Sequence, residues 1–98
     1  MTFSIVFRRA ARIEFEKAAV WYDEQRTGLG EEFIVEIEQA IANAAAGPLR
    51  YQLIFGDIRR AVARRFPFSV YFRLRSNKLV VLAAFHGRRD PTIWQRRV

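Results

Sequence analysis

Phe66-Pro67-Phe68-Ser69-Val70-Tyr71-Phe72-Arg73-Leu74 carries an apolar residue at every second position: Phe66, Phe68, Val70, Phe72 and Leu74. Successive side chains on a strand point to opposite faces, so this spacing predicts a strand with one face against a core. Just downstream, Ser76-Asn77 has the length of a two-residue hairpin turn, with Asn77 suited to positive φ. Leu79 to Phe85 follows and is apolar throughout. Such a strand is covered on both faces and belongs inside a sheet. Upstream, Ile58 to Arg64 alternates and predicts another strand, while Tyr51 to Gly56 reads either as a short strand or as a loop.

The first half of the chain follows another period. Phe3 to Phe7 reads as a short first strand. Ala11, Phe15, Ala18 and Tyr22 then fall on one face of a helix that runs from about Arg9 to Gln25. Glu14, Glu16, Asp23 and Glu24 lie mostly off that line and are expected in water. Gly28 and Gly30 break the helix. A second helix starts near Gly30, with Glu31 and Glu32 complementing the dipole of its first turn. Phe33, Ile37, Ala40, Ile41 and Ala44 form its apolar stripe, and Gly47-Pro48 ends it. The order is β-α-α-β-β-β. It predicts an α+β fold with a helical hairpin packed on one face of a mostly antiparallel sheet. With 98 residues and no linker or repeat, residues 1–98 read as a single domain.

Composition narrows the function. There is no cysteine, hence no disulfide framework or thiolate metal site, and His86 is the lone histidine. No stretch is apolar enough to span a membrane, and the N-terminal residues lack a signal-peptide core. A cytoplasmic protein is expected, with no metal and no cofactor. The formal net charge is +7. Residues 1–46 hold 5 basic and 8 acidic side chains, whereas residues 47–98 hold 12 basic and 2 acidic. The positive potential therefore belongs to the second half and points to an acidic or phosphate-bearing macromolecular partner. Lys17 and Lys78 are the only lysines. Arginine's planar fork suits phosphate and carboxylate, although base composition of the coding sequence explains an arginine preference equally well.

Three constellations stand out. The first is the arginine set Arg59, Arg60, Arg64, Arg65, Arg73 and Arg75. On a strand, Arg60 and Arg64 share one face, and Arg59 and Arg65 the other. Anion binding is one reading, and a charged sheet edge that blocks pairing is the other. The second is His86-Gly87-Arg88-Arg89-Asp90-Pro91 at the end of the last strand. A histidine there can act as general acid or base beside arginines that stabilise a phosphorane. No carboxylate or lysine base stands beside it, since Asp57 and Asp90 both read as turn residues, so a structural histidine is the simpler reading. Arg89 and Asp90 read as a local ion pair. The third is aromatic: Trp21, Tyr22 and Trp94 suit base stacking, but core packing or anchoring of the tail is the simpler role.

The pieces align with a family. The first helix carries Ala18-Ala19-Val20-Trp21-Tyr22-Asp23-Glu24-Gln25, followed by Gly28-Leu29-Gly30 and Phe33. The sheet carries Ile58-Arg59-Arg60-Ala61-Val62 and Arg65-Phe66-Pro67-Phe68-Ser69-Val70-Tyr71-Phe72, and the tail Ala84-Phe85-His86-Gly87-Arg88-Arg89-Asp90-Pro91 with Trp94. This set resembles the RelE/ParE superfamily of bacterial type II toxins, in its ParE-like, plasmid-stabilisation branch. The resemblance implies that fold and a strand order to match. It also implies a hetero-oligomeric complex with a cognate antitoxin, whose acidic C-terminal segment wraps the toxin. ParE-like members are described as inhibitors of DNA gyrase, and RelE-like members as ribosome-dependent mRNA endonucleases. The second and third strands supply arginine but no lysine, and no tyrosine follows Arg89, which departs from the RelE pattern. The expectation is a gyrase inhibitor with no catalytic residue, binding partners through Arg59, Arg60, Arg64, Arg65, Arg73, Arg88, Arg89 and Trp94. The alternatives are a metal-independent endoribonuclease using His86 with Arg60, Arg65 and Arg88 at the scissile phosphate, and a non-toxic module that binds antitoxin or nucleic acid.

Overall fold

In the computed structural model, which describes residues 2–97, a short strand β1 (Ser4–Phe7) leads into α1 (Arg9–Gln25) and α2 (Leu29–Ala46). A 3-10 turn (Pro48–Arg50) then leads to β2 (Leu53–Phe55), β3 (Ile58–Val62), β4 (Phe68–Arg75), β5 (Lys78–His86) and a terminal turn of helix, α3 (Thr92–Gln95). The sheet order is β1-β5-β4-β3-β2. Only the β1–β5 pair is parallel. The α+β architecture is the one the periodicities predict, with two additions. The ambiguous stretch before Gly56 does form a strand, β2. The charged tail contains α3.

The helical hairpin forms because two glycines do different work. Gly28 takes φ +93, the left-handed conformation that glycine adopts without penalty. Gly30 lies inside α2 against α1, where an added Cβ would sit 2.4 Å from the Ala19 carbonyl oxygen. Between them Asp23 Oδ1 accepts the backbone N–H of Gly28 at 3.0 Å and of Gly30 at 3.2 Å. The carboxylate of one helix thus caps the other, in the absence of a side-chain cap from its own first residue.

The stripes of both helices meet the sheet as their spacing requires. Ala11, Phe15, Ala18, Ala19 and Tyr22 are buried on α1; Phe33, Ile37, Ile41, Ala44 and Ala45 on α2. Phe33, fully buried, lies 5.2 Å from Phe66 and 5.0 Å from Phe68, centroid to centroid, in edge-on geometry. Val70, Phe72, Leu79 and Val81 complete this core from the sheet.

A bulge in β5 decides which face later residues take. Val81 pairs with Phe72 and Ala83 with Tyr71, so Leu82 is the extra residue. Before the bulge Leu79 and Val81 face the helices; after it Ala84 does, while Leu82, Ala83 and Phe85 turn to the opposite face. His86, which pairs with Phe68, therefore faces the helix side, its ring 5.5 Å from the Phe68 ring. The outer face is a second small core of Ile58, Tyr71, Val80, Leu82 and Phe85, closed by Trp94 from α3.

Three local expectations need correction. The strand from Ile58 stops at Val62, so Arg64 and Arg65 lie in the bend before β4 and do not share strand faces with Arg60 and Arg59. Phe66 precedes β4, although its side chain still joins the core. In the β4–β5 turn the positive φ, +54, falls on Ser76 rather than Asn77.

Candidate partner-binding surface

On β3 the side chains alternate, with Arg59 and Ala61 toward the helices and Ile58 and Arg60 toward the outer face. Arg59 is half-buried and donates from Nη1 to the Tyr51 carbonyl at 2.7 Å. It ties the start of β2 to β3, which is a structural use of a predicted partner-binding residue. Arg60 pairs in register with Tyr71 and is exposed.

Arg65 is held by α2. Its Nη2 donates to Glu32 Oε1 at 2.7 Å, and its backbone N–H donates to Glu36 Oε2. Arg26 approaches the same Glu32 at 3.3 Å. The two guanidiniums hold the Glu32 carboxyl below the usual range, with Arg65 the larger cause. Arg73 and Arg75, on the outer face of β4, both grip Asp57, at 2.7 and 2.9 Å. Their hydrogen bonds lower its pKa to about 2, Arg73 contributing most. Asp57 is a turn residue, as expected, and also neutralises part of the arginine set.

The tail arrangement differs from its sequence reading. Asp90 does not pair with Arg89; its Oδ1 accepts the Thr92 N–H at 3.0 Å and opens α3. Arg89 instead lies over the Phe85 ring, 4.1 Å from its centroid, with Glu14 Oε2 at 3.9 Å. Glu14, expected in water, is nearly buried, its side chain 11% exposed. It accepts the Ala84 N–H at 3.2 Å and pairs with Arg97 Nη2 at 2.7 Å. Arg97 also donates to the Leu82 carbonyl at 3.1 Å. β1 ends at Phe7 opposite Val81, so the later half of β5 has no strand beside it, and this ion pair covers that edge. The signal was present: Glu14 falls three residues after Ala11 and four before Ala18, on the buried side of the helix.

Trp94, named as a partner-binding residue, is 2% exposed. It stacks on Tyr71 at 4.3 Å and meets Phe55 edge-on at 5.9 Å. It anchors α3 and offers no face to a partner. Trp21, by contrast, is 55% exposed at the end of α1.

The nuclease set is divided by the sheet, with Arg60 on one face and the His86–Arg88 turn on the other, where the Gly87 N–H donates to the Pro67 carbonyl at 2.7 Å beside the segment that carries Arg65. His86 faces the helix side and Arg60 the outer side. Arg65 is engaged by Glu32. Arg88, in the turn after β5, donates its backbone N–H to His86 Nδ1 at 3.0 Å, which occupies one ring nitrogen in a local turn. Among the described residues no cluster of His, Asp and Glu could hold a metal ion. No described helix is long and apolar enough to cross a membrane. Arg60, Arg64 and Arg88 are the guanidiniums of the predicted set that are exposed and make no ion pair among the described residues.

A large groove, about 810 Å³, runs between α2 and the edge of β3. Sequence reading missed it, because it depends on β2 starting only at Leu53, opposite Arg59, which leaves the end of β3 uncovered. The molecule is thus an α+β module with exposed guanidiniums on the outer sheet face (Arg60), in the groove beside its second helix (Arg64) and in the turn after β5 (Arg88).

No protein-family model matches the chain, and no curated protein matches it. Among solved structures it is similar to a chain of the chromosomal ParDE TA system from P. aeruginosa, at 15% identity and a TM-score of 0.77, over 87% of this chain and 96% of that one. It is also similar to a chain of the toxin-antitoxin complex RelBE2 from Mycobacterium tuberculosis, at 17% identity and a TM-score of 0.62, over 88% and 99%. The fold is therefore the RelE/ParE toxin fold that the ordered motif set implies.

Proposed function

We propose that this chain is the toxin of a bacterial type II toxin-antitoxin pair, that it arrests growth by binding DNA gyrase, and that a cognate antitoxin neutralises it. The fold likeness supports the toxin reading, since both solved relatives come from toxin-antitoxin assemblies. The observation that carries the choice of target is the split site: His86 and Arg60 lie on opposite faces of the sheet, and Arg65 is spent on Glu32. General acid-base cleavage of RNA needs its acid, base and phosphate-binding cations within hydrogen-bond reach of one phosphate. A binding function needs no such convergence. Arg60, Arg64 and Arg88, exposed and without ion pairs among the described residues, are the charges left for an acidic antitoxin segment.

Inducible expression in a bacterial host tests this. Growth arrest should occur with the wild type and persist undiminished in His86→Ala. Arrest lost in a folded His86→Ala protein would instead support the mRNA endonuclease. Normal growth with abundant wild-type protein would support the non-toxic binding module.

A further inference from the structure

The outward face of α1 has no partner in the fold. The buried stripe Ala11, Phe15, Ala18 and Tyr22 is mirrored on the opposite side of the helix by Ile13, Lys17, Val20 and Glu24, at the same spacings of four, three and four. Ile13 is 40% and Val20 60% exposed, and the exposed Trp21 stands beside Val20, between Lys17 and Glu24. The Trp21 ring lies edge-on to Tyr22, 5.1 Å between centroids, so this aromatic is ordered before anything binds it. Lys17 and Glu24 are exposed and make no ion pair among the described residues.

The charges of α1 run against its own dipole. Arg9 and Arg12 occupy the first turn and Asp23 and Glu24 the last, with no acid at the start and no base at the end. Within one chain that placement is unfavourable. Beside a second α1 running the opposite way it becomes complementary, because the basic end of each helix lies by the acidic end of the other. The match extends to single side chains. Lys17 and Glu24 are equidistant from the midpoint between Val20 and Trp21, about 5 Å along the axis on either side at ~1.5 Å per residue. A twofold axis through that midpoint sets Val20 on Trp21 and Lys17 on Glu24 of the second copy, each contact made twice. A register centred between residues 18 and 19 instead sets Lys17 on Val20 and Ile13 on Glu24, which leaves both charges unpaired against apolar groups. A parallel arrangement sets Lys17 on Lys17. The exposed, unpaired Arg60, Arg64 and Arg88 belong to β3, the bend after it and the turn after β5, so none of them lies on this face.

We infer that the chain self-associates through α1 as a weak antiparallel twofold dimer, with Val20 and Trp21 at its centre and Lys17–Glu24 pairs fixing its register. One helix face is small against the ~800 Å² per partner of a standard interface, so the dimer dissociates at micromolar concentration and dilute chain is monomeric. No α1 residue lines the groove beside α2. The assembly does not rest on the toxin-antitoxin reading.

Sedimentation velocity of the full chain over a range of concentrations reads the dimer, with circular dichroism to check the fold of each variant. Wild type should pass from monomer to dimer as concentration rises. Trp21→Ala should weaken association about tenfold, since a central aromatic carries much of such an interface. Lys17→Glu and Glu24→Lys, both at exposed positions where folding is not at stake, should each weaken it, because like charges then face each other. The double variant Lys17→Glu/Glu24→Lys should restore it, because each pair is remade with its signs exchanged. A wild-type chain that stays monomeric at every concentration would overturn the inference. So would a dimer indifferent to Trp21→Ala, or a double variant as weak as the single ones. Growth of the wild type past the dimer into larger species would overturn it too, since a twofold contact closes on itself.

Discussion

Asp57 shows how a single residue alters the meaning of a basic sequence. Counting charges gives 12 basic against 2 acidic in the second half, yet one of those two acids pairs with both Arg73 and Arg75. Its carboxyl is lowered from 3.8 to about 2 in the folded chain. A depressed carboxylate contributes stability that is present above the unfolded value and is lost as pH falls through the folded one. The melting-temperature gap between wild type and Asp57→Asn should therefore be full at pH 5 and shrink as pH falls from about 4 to about 2. A gap that stays constant over that window would mean the ion pairs add nothing. Which arginines remain free was not legible in the sequence. The partners come from far along the chain: Glu32 for Arg65, Asp57 for Arg73, Glu14 for Arg97. Only the fold brings them together.

At the scale of elements, long periodic stretches were legible and short irregular ones were not. The stripes of α1 and α2 and the alternation of β4 follow from side-chain direction and needed no tertiary information. The end of β3 at Val62 and the bulge at Leu82 are set by pairing with neighbours, which an apolar run such as Leu79 to Phe85 does not encode. That bulge is what turns His86 to the helix side, so the location of the one histidine could not be read locally. The tail reads as charged and irregular, but one buried aromatic converts it into part of the fold. Trp94→Ala should cost ~3–5 kcal/mol in urea unfolding, as for other buried tryptophans. Trp21→Ala, at an exposed position, should stay within ~0.5 kcal/mol. Similar small effects from both would place α3 off the sheet.

For the whole molecule, the sequence conveys fold class, order of elements and the family resemblance, and the solved relatives carry the same fold at 15% and 17% identity. Such divergence preserves the alternation and helix stripes that build two cores while leaving surfaces free to change. The surfaces here form two regions, exposed arginines on the outer sheet face and the turn after β5, and a groove by α2 whose walls carry both Glu31 and Arg64. Neither assembles a catalytic centre around His86. The account therefore stands or falls on whether this chain acts by binding a target. The most direct measurement is a DNA gyrase supercoiling assay with the purified chain, scored for lost supercoiling and accumulated linear DNA. Inhibition with linear product, retained by His86→Ala and reversed by the antitoxin, is the predicted result. Unimpaired supercoiling at micromolar chain, with cleavage of ribosome-bound mRNA that depends on His86, would contradict it.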